Sequence, residues 1–178
     1  MKKPVYPVRE EDHLLHIACR ELNIGKIRMA IANGADVNAP DEKHEYAPLD
    51  IVAHSLRGWD DYRFNPDYQR QIRMIVDILL SNGADPNGIN ADIRPLEIFA
   101  WSCCDPVICS QLVQCGVRKN FCCEESTVLD LVINEITYLA STEGSREVID
   151  RLDKIYDILV KHGAKGFHEL NEEHTKNS

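Results

Sequence analysis

The chain has no apolar run approaching 18 residues, so the sequence offers nothing to span a bilayer as a helix. Its first stretch, MKKPVYPVREED, has two lysines with no apolar segment behind them, and so lacks the pattern of a secretory signal. Signatures of catalysis are missing too. There is no phosphate-cradling glycine loop, no HExxH, no nucleophile elbow and no Cys-Gly active-site pattern, so the chain is not expected to be an enzyme. Basic residues are outnumbered, 20 Lys and Arg against 29 Asp and Glu. The resulting charge of −9 argues against nucleic acid and anionic membrane, and leans toward a basic partner or none. Seven cysteines, an odd count with adjacent pairs at 103–104 and 122–123, suit reduced thiols and a cytoplasmic location better than a disulfide framework.

Repetition takes the place of motifs. NGADVN at 33–38 returns as NGADPN at 82–87, and worn copies follow in CGVRKN at 115–120 and HGAKGF at 162–167. Gly34, Gly83, Gly116 and Gly163 each follow an apolar stretch of helical period, which predicts helix ends closed by a left-handed glycine. A second marker precedes each of them: HLLHIAC, APLDIVA, RPLEIFA and TVLDLVI. Their central leucines, Leu15, Leu49, Leu96 and Leu129, lie 34, 47 and 33 residues apart. Two independent markers therefore give one period near 33, with extra residues in the second and fourth units.

On these residues the chain resembles ankyrin-repeat proteins, whose unit pairs a Thr-Pro-Leu-His opening with a Gly-Ala-Asp-Val-Asn exit. The resemblance covers residues 12–166 and implies an all-α solenoid of four helix-turn-helix repeats, about 12–45, 46–92, 93–125 and 126–166. Residues 1–11 form a lead-in, and 167–178 a polar tail without apolar pattern, expected to fray. The opening threonine survives only as Thr127 and the histidine only as His16. Asp50, Glu97 and Asp130 stand in the histidine's place, so the family's Thr/His hydrogen bonds cannot all be kept.

Leucine-to-glycine distances of 19, 34, 20 and 34 put about fifteen extra residues between the helices of repeats 2 and 4. Shared between two helices, they predict hairpins taller by about 10 Å. Breaks are expected at Asn65-Pro66, with Asp67 as cap, and at Gly144, with Ser145 as cap. Asp105-Pro106 starts the second helix of the short repeat 3. Two tall hairpins flanking a short one predict a notch about one helix wide. Its floor would lie near Trp101–Asp105, and Trp59, Tyr62, Phe64 and Tyr68 would form a wall beside Asp60 and Asp61. In the last helix, Val148, Leu152, Ile155 and Leu159 share an apolar face, and Arg151 is assigned to the wet side.

Two surfaces are candidates for binding. One is the notch, with Trp59, Asp60, Asp61, Tyr62, Phe64 and Trp101, although such aromatics also serve to pack a hairpin against itself. The other is the row of inter-repeat fingers, with Asp41, Glu42, Glu45, Tyr46, Asn90, Asp92, Glu124 and Glu125, which aligned would present carboxylates to a basic protein. Ordinary solvation explains such charges equally well. No metal or cofactor is expected. The cysteines of repeat 3 fall at opposite ends of a helix about 15 Å long, too far apart for zinc–sulfur bonds near 2.3 Å. His13, His16 and Cys19 fall in a row on a helix, but His16 already has a structural role by resemblance. The expected function is stoichiometric protein binding by a free monomer, as an inhibitor or immunity-type protein. The alternative is an adaptor or effector using fingers and notch for different proteins.

Overall fold

A computed structural model of the chain describes residues 9–43, 45–56, 60–89, 93–122 and 125–176. The described residues are all-helical. The helices are α1 (Glu10–Arg20), α2 (Ile24–Ala32), α3 (Pro48–Ser55), α4 (Asp60–Phe64), α5 (Pro66–Ser81), α6 (Pro95–Glu97, continuing as a π-helical turn Ile98–Ser102), α7 (Pro106–Gln114), α8 (Val128–Ser141), α9 (Arg146–Lys161) and α10 (Phe167–Lys176). None is long and apolar enough to cross a membrane.

Short connections make α1–α2, α6–α7 and α8–α9 antiparallel pairs. The first helices pack in sequence, α1 on α3, α3 on α6 and α6 on α8, and the second helices do likewise, α2 on α5, α5 on α7 and α7 on α9. The core lies between these two layers. Leu15, Leu49, Leu96 and Leu129 are all buried in it, one per pair. Each fully buried Leu or Ile, such as Ile27, Ile72 or Leu112, contributes roughly 1.5–3 kcal/mol.

Local chemistry repeats with the pairs. Each second helix ends in the same double bond, the glycine N–H to the residue three back and the next N–H to the residue five back. For α2 these are Gly34 N to Ile31 O at 2.9 Å and Ala35 N to Ala30 O at 3.1 Å, and the pattern recurs at Gly83, Gly116 and Gly163. All four glycines have left-handed φ, between 80° and 93°. Asp105 caps α7 by accepting from Val107 N and Ile108 N, with Pro106 in the first turn. Asn65, not Asp67, caps α5: its carbonyl accepts from Asp67 N and Tyr68 N. Asparagine is the residue with non-helical backbone there, and that defines the cap. Ser145 holds the cap position of α9 without a side-chain bond.

Two features, the separate α4 and the helical tail, depart from the sequence expectation. The extra residues of the second pair lengthen its second helix, α5, to 16 residues but not its first, which ends at Ser55, and the remainder build the separate α4. In the fourth pair both helices do lengthen, α8 to 14 and α9 to 16 residues. The tail is helical as α10, its start held by Gly166 N donating to Glu169 and Phe167 N donating to Asp130, each at 2.9 Å. No periodic apolar signal marks that start, because polar caps make it.

Candidate functional site

The loops that follow the second helices are tied to one another by asparagines. Asn38 donates to Gly83 O at 2.9 Å and accepts from Asp85 N at 2.7 Å. Asn120 repeats the arrangement, with Gly163 O at 3.3 Å and Lys165 N at 2.9 Å, and Asn87 accepts from Arg118 N at 2.8 Å. The last letter of the NGADxN motif thus fixes the spacing of neighbouring fingers.

His16, Asp50 and Asp130, at matching places in the first, second and fourth pairs, tie their helix pair to the finger beyond it, whereas among the described residues Glu97 in the third closes only its own helix start. His16 Nε2 lies 2.8 Å from Ala39 O. Asp50 and Asp130 reverse the polarity of that bond. Asp50 accepts from Ala47 N at 3.0 Å and Ile89 N at 2.9 Å, and Asp130 from Thr127 N at 2.8 Å and Phe167 N at 2.9 Å. Glu97 accepts from Arg94 N at 2.9 Å. A carboxylate cannot donate to a carbonyl, so the chain turns a backbone N–H toward it instead. Thr127 adds a bond from its hydroxyl to Lys165 O at 3.0 Å, so in this pair the threonine role survives beside the new acid.

These ties titrate. Burial is the largest influence on His16 and lowers its pKa from 6.5. Burial also acts on Asp130, but in the raising direction, and the hydrogen bonds from Thr127 and Phe167 outweigh it, so that carboxyl is held below 3.8. Both folded values are depressed, so both contributions are complete above the unfolded pKa and disappear as pH falls through the folded one. His16 acts in the window below about 6.5, Asp130 only below about 4. Thermal melts should therefore show the protein losing a few degrees between pH 7.5 and 5, with the loss much reduced in His16→Gln. An equal loss in that variant would remove His16 as the cause.

The predicted notch is filled. Tyr62 on α4 is buried, and its hydroxyl donates to Asp105. Burial, with Asp105 beside it, pushes the phenol far above its ordinary pKa. Arg63 donates from Nε to Ser102 O at 2.8 Å and from Nη2 to Trp101 O at 3.1 Å, so α4 lies across the third pair. Arg73 on α5 reaches Asp105 Oδ2 at 2.9 Å. From the far side, Arg151 on α9 donates to Arg63 O at 2.7 Å and to Gln69 Oε1 at 3.1 Å. Arg151 is therefore turned inward, its side chain only 17% exposed, and not on the wet face assigned to it. Among the described residues the two inserts meet over the Trp101–Asp105 turn of the short pair, while a shallow cavity of about 570 Å³ stays open between α7 and α9, lined by Val107, Gln111, Lys154 and Ile158.

The remaining candidate residues are distributed as follows. Asp41 is buried, paired with Arg20 and accepting from Tyr46 N at 3.0 Å, so it shapes its finger and presents no charge to a partner. Tyr46 is half-buried and stacks on His54 with ring centroids 4.5 Å apart. Glu42, Glu45 and Glu125 are exposed. Phe64 is 59% exposed and Trp101 38%, the indole donating to Glu135 at 3.2 Å. Tyr62, by contrast, is lost from the candidate surface by its burial. Asp60 and Asp61 open α4, and their side chains lie outside the described residues, as do Trp59, Asn90, Asp92 and Glu124 entirely. Compared with known proteins, the chain matches no family model and no curated sequence.

Glu45 and Glu125 share a feature that spacing alone does not reveal. Each stands three residues before the first residue of its following helix, Pro48 or Val128, and each has left-handed backbone, φ 56° and 62°. Asp92 has the same sequence offset from Pro95. Among the described residues no three His, Cys, Asp or Glu side chains form a group that could hold a metal ion. Cys103, Cys104 and Cys109 are buried, and burial raises all three thiols, that of Cys104 to about 11, so they behave as small apolar side chains.

Proposed function

We propose that the chain is an ankyrin-like solenoid that works by binding another protein, as a stoichiometric inhibitor or immunity-type binder of a basic partner. The observation that carries this reading is the shared register of Glu45 and Glu125. Left-handed backbone at a residue other than glycine costs on the order of 1–3 kcal/mol, and glycine or asparagine would relieve it. Exposed carboxylates kept in that conformation on two fingers, with Asp92 at the same offset on a third, support a role for charge. A row of like charge speeds the arrival of a basic protein and disfavours acidic competitors. The resemblance to ankyrin proteins is supported by the fourfold glycine ending and the asparagine ties between fingers.

A second reading, an adaptor, draws on Phe64 and Trp101. Phe64 lies on α4, within the extra residues of the second pair, and Trp101 on the turn of the third pair that α4 crosses, and aromatic anchors dominate interface energies. One experiment separates the two. The tagged chain is used to capture protein from native lysate of its own cells, and affinity is measured for what binds in equal proportion. Glu45→Lys with Glu125→Lys should weaken binding of a basic partner at least tenfold, about 1.4 kcal/mol, and flatten its salt dependence. Phe64→Ala with Trp101→Ala should leave that partner bound; an adaptor would instead release a second protein. Unchanged affinity and salt slope after charge reversal would remove the acidic-finger reading.

A further inference from the structure

Stacked helix pairs ordinarily contact only their neighbours, so their stability is a sum of unit and nearest-neighbour contributions. Here Arg151 reaches past the third pair to the second, across 88 residues of sequence to Arg63 O. We propose that Gln69 and Arg151 form a clasp that holds α4 as a strap over the third pair, and that couples the opening of the strap to that of α9.

The bonding at Gln69 is what makes this a device and not a surface contact. Gln69 is buried, and its amide nitrogen donates to Tyr62 O at 2.9 Å and Arg63 O at 2.8 Å. Its carbonyl oxygen receives Arg151 at 3.1 Å and, more weakly, Arg73 at 3.4 Å. Both ends of one amide are thus committed, one to the strap and the other to arginines from α9 and α5. The planar fork of Arg151 serves the Arg63 carbonyl and the Gln69 carbonyl together, a geometry that a lysine cannot reproduce. Beneath the strap, Tyr62 donates to Asp105, and Asp105 also caps α7. If α4 lifts, Gln69, Arg151, Tyr62 and Asp105 all lose partners in the same movement, and buried groups left unpaired are costly. Local opening of α4 and of α9 is therefore favourable chiefly when both occur, and such coupling is reciprocal. This inference is independent of what the protein binds.

Hydrogen exchange read by mass spectrometry on the full chain tests it. Arg151→Ala should raise exchange across residues 60–69 by about tenfold or more while leaving α1 and α2 protected as in the wild type. Arg151→Lys should recover only part of the protection. Tyr62→Phe keeps the ring in place and removes only the hydroxyl, so it serves even if Arg151→Ala folds poorly. By reciprocity it should raise exchange in residues 146–152. Exchange confined to the mutated element, or raised equally in α1 and α2, would overturn the clasp.

Discussion

Asp105→Ala is expected to destabilise the protein by about 3–5 kcal/mol, the order that follows from removing a buried carboxylate that serves a phenol, a half-buried arginine and a helix cap together. Asp105 is 1% exposed and accepts from Tyr62 Oη, Arg73 Nε, Val107 N and Ile108 N. Truncation leaves an arginine, a phenol and two helix-terminal N–H groups without their acceptor, all at once. Urea denaturation should show the loss directly, and the melting temperature should drop by roughly 10 °C or more for a chain of this size. Asp105→Asn keeps an acceptor for the α7 cap and loses the charge toward Arg73, so it should fall between alanine and wild type. Tyr62→Phe should cost only about 1 kcal/mol beside it. A loss below about 1 kcal/mol for Asp105→Ala would mean that the strap and cap find substitutes, and the account of the filled notch would fail.

The second large effect concerns a glycine that no helix end explains. Gly88 has φ 66°, and a Cβ built there would lie 1.9 Å from Asp50 Oδ1. Gly88→Ala therefore combines left-handed strain with displacement of the Asp50 carboxylate, which is fully buried and holds Ala47 N and Ile89 N. The expected cost is about 2–4 kcal/mol, from roughly 1 kcal/mol of backbone strain plus the loss of one or two charge-assisted bonds. Gly34→Ala is the matched control. Its φ of 93° is equally left-handed, but nothing lies within 4 Å of the added carbon, so only the strain is felt, about 1 kcal/mol. Chemical denaturation of the two variants side by side measures the difference. Equal losses would show that Asp50 yields freely, and its tie to the finger would then carry little of the stability.

The Gly88–Asp50 contact illustrates which parts of the site could be read in advance. Asp50 is legible in the sequence as an acid standing in a histidine position. Its second partner, Ile89, lies 39 residues on, and nothing in either stretch announces the other. Glu45 and Glu125 were likewise legible as finger acids, but their left-handed backbone was not, since glutamate is a poor guide to that conformation. Asp41 sits in the same first finger and reads the same in sequence. The structure buries it against Arg20, because that finger folds back far enough to bring Asp41 N within 2.9 Å of Tyr46 O.

The sequence alone determined the beat of the molecule: the buried leucines, the four glycine-terminated helices, the Asp105-Pro106 start and the apolar face of α9. Each of these depends on residues within one or two helical turns, where spacing and backbone chemistry suffice. Tertiary structure alone decided that part of the insert of the second pair becomes a strap, that Arg151 points inward, and that the strap covers the Trp101–Asp105 turn of the third pair. Those outcomes depend on how two inserts of similar height, far apart in the chain, meet across a shorter neighbour. That meeting is set by the packing distance between helix pairs, which periodicity along the chain does not encode.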